Sequence, residues 1–271
     1  MARKAMAAPQ LDAASMQRPE LEDRVVLVTG GAQGIGRGIA QAVLAAGGRV
    51  MIGDNDAEAG KAAIEEIGAG ERAAFLPLDV AKEASVRRFV AAARKRFGRI
   101  DGLVNNAGIA QAHAGPVETL SWREWSRRIE TNLGGVFLCS KHALPHQRAA
   151  VGAIVNIASS RAHQSEADSE AYAASKGGIV ALTHALAISV GPVRVNAINP
   201  GWIVIDDWRK PGARTLPKLS PADHAQHPVK RAGVPGDIAA LAVFLLSPRA
   251  GFITGENFTV DGGMARRMQY V

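Results

Sequence analysis

The sequence predicts an α/β domain, a parallel sheet covered by helices on both faces. Three observations lead there. Short β-branched runs alternate with Ala-rich stretches whose apolar residues recur at helical spacing, from the twenties to the end of the 271-residue chain. That regular alternation implies βαβ crossovers, which require parallel strands and bury both faces of the sheet. Finally, no compositional break, internal repeat or Ser/Gly linker divides the series, and α/β folds often reach this length as one domain.

In chain order, the strand runs are 25–28, 49–53, 73–78, 100–105, 153–157, 193–198 and 258–260, seven in all. The intervening segments 35–46, 58–67, 86–97, 122–144, 172–190 and 238–246 carry the helical pattern, each read as one unbroken helix. Residues 202–231 break the rhythm: Pro211, Pro217, Pro221 and Pro228 interrupt a polar stretch that cannot be a continuous helix, and excursions of this kind often serve as lids. The main domain is read as 22–271. Residues 1–21 read as a flexible extension, because Gln10, Asp12 and Gln17 interrupt the apolar core that a secretory signal needs.

Composition excludes several classes. Lys and Arg outnumber Asp and Glu by 32 to 25, a net charge of +7, yet residues 1–24 carry four charges of each sign. The excess is spread over the body rather than gathered on one face, so no nucleic-acid partner is expected. Cys139 is the only cysteine, which rules out an intrachain disulfide and a two-cysteine zinc site and gives no sign of an oxidising compartment. No metal is expected, since the histidines lack a ligand pattern. The most apolar long window, 179–198, is interrupted by His184, Ser189, Pro192, Arg194 and Asn196, short of the roughly 20 apolar residues a membrane span needs. A soluble, cytoplasmic protein without a membrane partner is the expectation.

Immediately after the first strand stands Thr29-Gly30-Gly31-Ala32-Gln33-Gly34-Ile35-Gly36, running into the first helix. Gly30 permits a tight turn, Gly34 clears a path for a pyrophosphate, and Gly36 lets the helix pack closely on the sheet. The helix N-terminus offers amide donors and partial positive charge to phosphate. Eighteen residues after Gly36, the second strand ends in Asp54, close to the spacing of an acid that accepts from a ribose 2′-hydroxyl, which favours NAD and repels the extra phosphate of NADP. Farther along, Tyr172 and Lys176 lie four apart and share one helix face, so an ammonium there can lower the phenol's pKa toward the working pH.

The pattern Thr-Gly-x-x-x-Gly-x-Gly resembles that of the short-chain dehydrogenase/reductase family. Asp79-Val80 after the third strand, Asn105-Asn106-Ala107-Gly108 after the fourth, Asn199-Pro200-Gly201 after the sixth, and Thr254-Gly255 with Asp261-Gly262-Gly263 near the end extend the resemblance over residues 22–264. It implies a single doubly wound Rossmann-type domain with a seven-stranded parallel sheet, the cofactor lying across the carboxyl ends of the strands. By the same resemblance, Gly30, Gln33, Gly34, Ile35 and Gly36 hold the dinucleotide. Asp79 meets the adenine amino group and Val80 gives a backbone contact. Asn106, Ala107 and Gly108 line the adenosine ribose side, while Pro200, Gly201 and Ile203 lie at the nicotinamide end.

The resemblance also assigns the chemistry. Tyr172 passes a proton to or from the substrate oxygen as hydride moves between nicotinamide and carbon, and Ser159, thirteen residues earlier, hydrogen-bonds that oxygen. Ser160 is the neighbouring alternative. Lys176 holds the nicotinamide ribose, and Asn132, inside the long helix, anchors a relay water. One departure stands out: after Pro200-Gly201-Trp202-Ile203-Val204 the family commonly has Thr, whereas this chain has Ile205, so one contact to the carboxamide and phosphate is missing. The polar segments 111–113 and 161–170 suit a small polar substrate such as a sugar, polyol or other hydroxy compound. A homotetramer or homodimer is implied by the family. An epimerase or dehydratase that retains its cofactor, and a nucleotide-sensing binding protein without turnover, are the alternative functions.

Overall fold

A computed structural model describes residues 20–268. Its seven parallel strands, β1 (Val25–Thr29), β2 (Arg49–Asp54), β3 (Ala73–Pro77), β4 (Gly102–Asn105), β5 (Ala153–Ile157), β6 (Arg194–Pro200) and β7 (Asn257–Val260), lie in the order β3-β2-β1-β4-β5-β6-β7. β1, β4 and β5 are buried along their whole length, as strands covered on both faces must be. On one face, α1 (Gly34–Ala45) and α8 (Pro235–Leu246) pack Ile39, Val43, Ile238 and Leu246 against Val26, Val104 and Val155. The other face carries α3 (Glu83–Phe97), α5 (Gly135–Ala150) and α6 (Glu170–Val190), with Phe89, Cys139 and Ala187 set against Leu27, Leu103 and Ile154. α2 (Ala57–Ile67) flanks β3, started by the Asp56 carboxylate, which accepts from Ala59 N–H (2.9 Å), and ended by Gly68 in the left-handed conformation.

The chain leaves β1 toward β2 and leaves the neighbouring β4 toward β5, in opposite directions, so a crevice opens at the carboxyl ends of β1 and β4, where such sheets bind ligands. Two polar stitches fix that edge. The Thr29 hydroxyl accepts from Asn106 N–H (3.0 Å) and Ala107 N–H (3.1 Å), and Asn105 donates to Asn156 (2.8 Å) and Ser140 (3.2 Å).

The structure corrects three expectations. The helix expected over 122–144 is broken into α4 (Trp122–Ile129), one π turn (Glu130–Gly134) and α5, which runs on to Ala150. Glu20 and Leu21 belong to the folded domain: Leu21 is fully buried and bonds to Ala46, and Glu20 pairs with Arg249 (2.6 Å). The rest of the expected extension, 1–19, lies outside the described residues. Among the described residues the helix apolar and long enough to cross a bilayer is α6 rather than 179–198, but α6 packs on β6 and α4 and carries Tyr172 and Lys176. Residues 202–231 form the expected irregular excursion, with α7 (Pro221–Ala225) as a short helix within it.

Candidate active site

A groove of about 1,030 Å³ runs along the carboxyl edge of the sheet, from Asp54 and Asp79 at one end to Ser159, Tyr172 and Lys176 at the other. Gly30, Gln33, Gly34, Ile35, Val80, Asn106, Ala107, Gly108, Pro200, Gly201 and Ile203 line it between. Gly36 and Asn132 do not reach the wall; each acts from behind it.

The glycine end is fixed by backbone geometry. Gly30 has φ +59°, and a Cβ there would sit 2.8 Å from Ala107 Cα. At Gly36 a Cβ would meet the Gly30 carbonyl oxygen at 2.1 Å, so this glycine serves the closure of its own turn rather than the helix–sheet packing expected of it. Asn106 braces the turn from below, its amide donating to Thr29 O (3.1 Å) and Gly30 O (2.8 Å) while the residue still lines the groove. Asp54, at the end of β2, accepts from Ala32 N–H (3.2 Å) and Asp56 N–H (3.1 Å). Burial raises its pKa, and those amide bonds pull the other way. These features fit a dinucleotide: a turn with no side chain in the way, amides at a helix start, and a carboxylate at the far end.

The segment after β6 crosses this end as a strap. Ile205, at the position where a threonine was expected, lays its side chain over Gly34, about 3.5 Å from where a Cβ would be. Lys210 donates its backbone N–H to Gln33 Oε1 (2.9 Å) and pairs through its ammonium with Asp56 (3.1 Å) and Glu58 (2.6 Å). Arg214 pairs with Glu66 (2.7 Å), which also binds Arg37, and Arg37 lies 6.0 Å from the Trp208 ring. Trp208 therefore sits at the nucleotide end, whereas Trp202 lines the groove and tilts against His227.

At the other end, the first turn of α6 presents Tyr172, and Lys176 follows one turn on. Lys176 is 6% exposed, donates to Ile157 O (2.9 Å) and stands 5.6 Å from the Tyr172 ring. Desolvation brings its pKa down to about 8. The Tyr172 phenol is raised, not lowered: burial dominates, while hydrogen bonding to Ser159 and the charge of Arg161 oppose it. That corrects the expectation that Lys176 depresses the phenol, since spacing along a helix says nothing about how deeply both groups are buried. Ser159 also accepts from Arg161 N–H (3.1 Å). Ser160 lines the groove as well, but the tie to Tyr172 belongs to Ser159.

Asn132, expected inside one long helix, lies in the π turn and is 1% exposed. Its Oδ1 accepts from Ile109 N–H (2.7 Å), and its Nδ2 donates to Ser175 Oγ (3.1 Å), locking the loop after β4 to α6. Oδ1 has a second lone pair beyond the one Ile109 uses, and Gly108, whose Cβ would stand 3.1 Å from that oxygen, sets no side chain against it. π turns recur at functional sites, and this one turns a polar side chain inward. Sequence reasoning missed Arg127, Thr131, Gln226 and Met264 on the groove wall: Arg127 and Gln226 come from segments with no motif, and Thr131 and Met264 only adjoin residues that were singled out. No cluster of metal-ligating side chains occurs among the described residues.

Comparisons with known proteins point to one family. The family model described as "Enoyl-(Acyl carrier protein) reductase" matches residues 30–265. An "Uncharacterized oxidoreductase" of Thermotoga maritima is 46% identical over 92% of this chain and 99% of its own. The L-fucose dehydrogenase of Bos taurus is 38% identical over 89% of this chain and 88% of its own. Among solved structures, a short-chain dehydrogenase/reductase described as a glucose/ribitol dehydrogenase from Brucella melitensis superposes with a TM-score of 0.80. It is 36% identical over 92% of this chain and 99% of that one.

Proposed function

The chain belongs to the short-chain dehydrogenase/reductase family, and from that premise we propose that it is an NAD-dependent enzyme interconverting a secondary alcohol and a carbonyl on a small polar substrate. A sugar, polyol or other hydroxy compound suits the polar groove walls, in keeping with relatives that act on fucose and on glucose or ribitol. The observation that carries the reading is the meeting, on one groove wall, of Ser159 from the turn after β5 with Tyr172 and Lys176 of α6.

A nicotinamide nucleotide, when bound, supplies the hydride transfer. The chain's own groups handle the proton. Burial keeps the Tyr172 phenol protonated at neutral pH, so it donates to a carbonyl oxygen. The Arg161 charge then stabilises the phenolate that remains. Ser159 gives its one hydroxyl proton to the substrate oxygen. Of the three donors on Lys176, one is used by Ile157 O, leaving two for ribose hydroxyls. Asn132 accepts from a relay water through its second Oδ1 lone pair and so returns the proton to solvent. Gly30, Gln33, Gly34 and Ile35 cradle the pyrophosphate, Asp79 and Val80 the adenine, and Asn106, Ala107 and Gly108 the adenosine ribose. Pro200, Gly201 and Ile203 orient the carboxamide. Asp54 accepts from the ribose 2′-hydroxyl and repels a 2′-phosphate, which selects NAD.

We place the protein in the cytoplasm as a homotetramer or homodimer joined through α5 and α6, where Phe137 and Ile188 remain exposed. Light scattering of the purified protein tests the assembly. Incubation with NAD or NADP and a panel of secondary alcohols, following reduced nicotinamide, tests the activity. Accumulation with NAD on polar alcohols is expected. Substrate conversion without net reduction points to an epimerase or dehydratase, and tight nucleotide binding without conversion points to a sensor.

A further inference from the structure

Arg161 is a groove-wall cation whose guanidinium fork the chain satisfies only in part. Other basic groups near the groove are well occupied. Lys210 and Arg214 of the strap pair with carboxylates of α2 and its cap, Arg231 pairs with Asp237 (2.6 Å), and Arg127 is held by both oxygens of Glu124 at 2.8 Å. Arg161 differs. Its Nη2 touches Glu166 (2.6 Å), a residue on the exposed rim that is shared with His113 (3.0 Å), and its buried Nη1 has no hydrogen-bond partner. Its backbone is fixed by Ser159, and its charge reaches the Tyr172 phenol, so the guanidinium stands at the reacting end and not at the nucleotide end.

A guanidinium presents five donors in a planar fork that matches the two oxygens of a carboxylate. A buried N–H without an acceptor is unfavourable, and a surface carboxylate such as Glu166 is an easily exchanged partner. We infer that Arg161 grips a carboxylate carried by the substrate, so that the alcohol turned over is a hydroxy acid and the carbonyl the corresponding keto acid. Glu166 holds the fork's place until the substrate arrives and then swings to the rim with His113. The inference rests on the oxidoreductase reading above and narrows its substrate class.

The test uses matched pairs, each a hydroxy acid and its primary amide, with NAD and the full-length protein. The wild type should favour the acid on the order of 10²-fold in kcat/KM, carried by KM. Arg161→Gln should bring the acid-to-amide ratio to about one. Arg161→Lys keeps the charge beside Tyr172 but not the fork, and should also lower the ratio, by about tenfold. Glu166→Gln, which removes the competing carboxylate, should lower the KM of the acid. A second readout is independent of turnover: titration of keto acids into the NADH-loaded protein, followed by nicotinamide fluorescence, should show binding that Arg161→Gln abolishes. Equal use of acid and amide by the wild type, or keto-acid binding that is absent or indifferent to Arg161→Gln, overturns the inference. If neutral polyols are turned over while acids neither bind nor react, the oxidoreductase reading stands and this narrowing fails. If keto acids bind through Arg161 but no alcohol is oxidised with either nucleotide, the carboxylate site stands and the oxidoreductase reading fails.

Discussion

The two ends of the groove are built by different physics. At the glycine end, atoms are where they are because nothing else fits: Gly36 abuts the Gly30 carbonyl, and Thr29 and Asn106 bolt the turn to β4. At the tyrosine end, ordinary helix geometry presents Tyr172 and Lys176, and their character comes from burial, which shifts both pKa values toward the neutral form. The first end tolerates almost no change of shape. The second tolerates shape and is sensitive to charge and proton inventory.

That contrast can be broken or sharpened by experiment. The largest effect is expected from Tyr172→Phe, which removes a proton donor without changing volume. Turnover should fall by on the order of 10³-fold or more while NADH fluorescence titration still reports binding; retained activity would take Tyr172 out of the chemistry. Next, Gly36→Ala should impair the other end by shape alone, because its Cβ would sit 2.1 Å from a backbone oxygen that cannot move aside. A loss of about 1–3 kcal/mol in stability and at least tenfold weaker NADH binding are expected, by thermal melting and titration. A smaller change is expected from Asp54→Ser, which should lower the preference for NAD over NADP by about tenfold in kcat/KM without altering the melting temperature greatly. Undiminished discrimination would place nucleotide choice elsewhere.

The subtlest test uses pH. Lys176 sheds its proton near pH 8 in the folded protein, against 10.5 for an ordinary lysine. Between those values the unfolded chain holds the extra proton, so this residue makes stability rise with pH. Cys139 acts oppositely: burial lifts its thiol from 9.0 to about 12, so above pH 9 the unfolded chain loses a proton that the fold retains, and stability falls. Melting temperatures should therefore climb from pH 8 to 9, and Lys176→Met should flatten that climb. An unchanged slope in the variant would mean that Lys176 is less buried than the structure shows.

The same division explains what could be read from sequence. The strands and the glycine turn were legible because backbone constraints write themselves as residue types: Gly where φ is positive, β-branched runs where both faces are covered. Asp54 was legible from its distance along the chain. The break at 130–134 was not, since a π turn leaves the apolar periodicity on either side nearly intact. The buried state of Asn132 followed from that break. The sign of the Tyr172 shift was hidden as well, because it depends on the walls around the phenol, contributed by segments far away in sequence. Arg127 and Gln226 carried no signal, being ordinary residues brought to the groove by the fold.

The strap over the glycine turn has a mechanical consequence. Its clasps are mostly ion pairs at the surface, of the kind that contribute about 0–1 kcal/mol each, whereas the sheet beneath is stitched by buried amides and hydroxyls. Thermal agitation can therefore unfasten residues 205–215 while the cradle keeps its shape, and raised ionic strength loosens the fastening further. The strap is thus fastened more loosely than the turn it crosses.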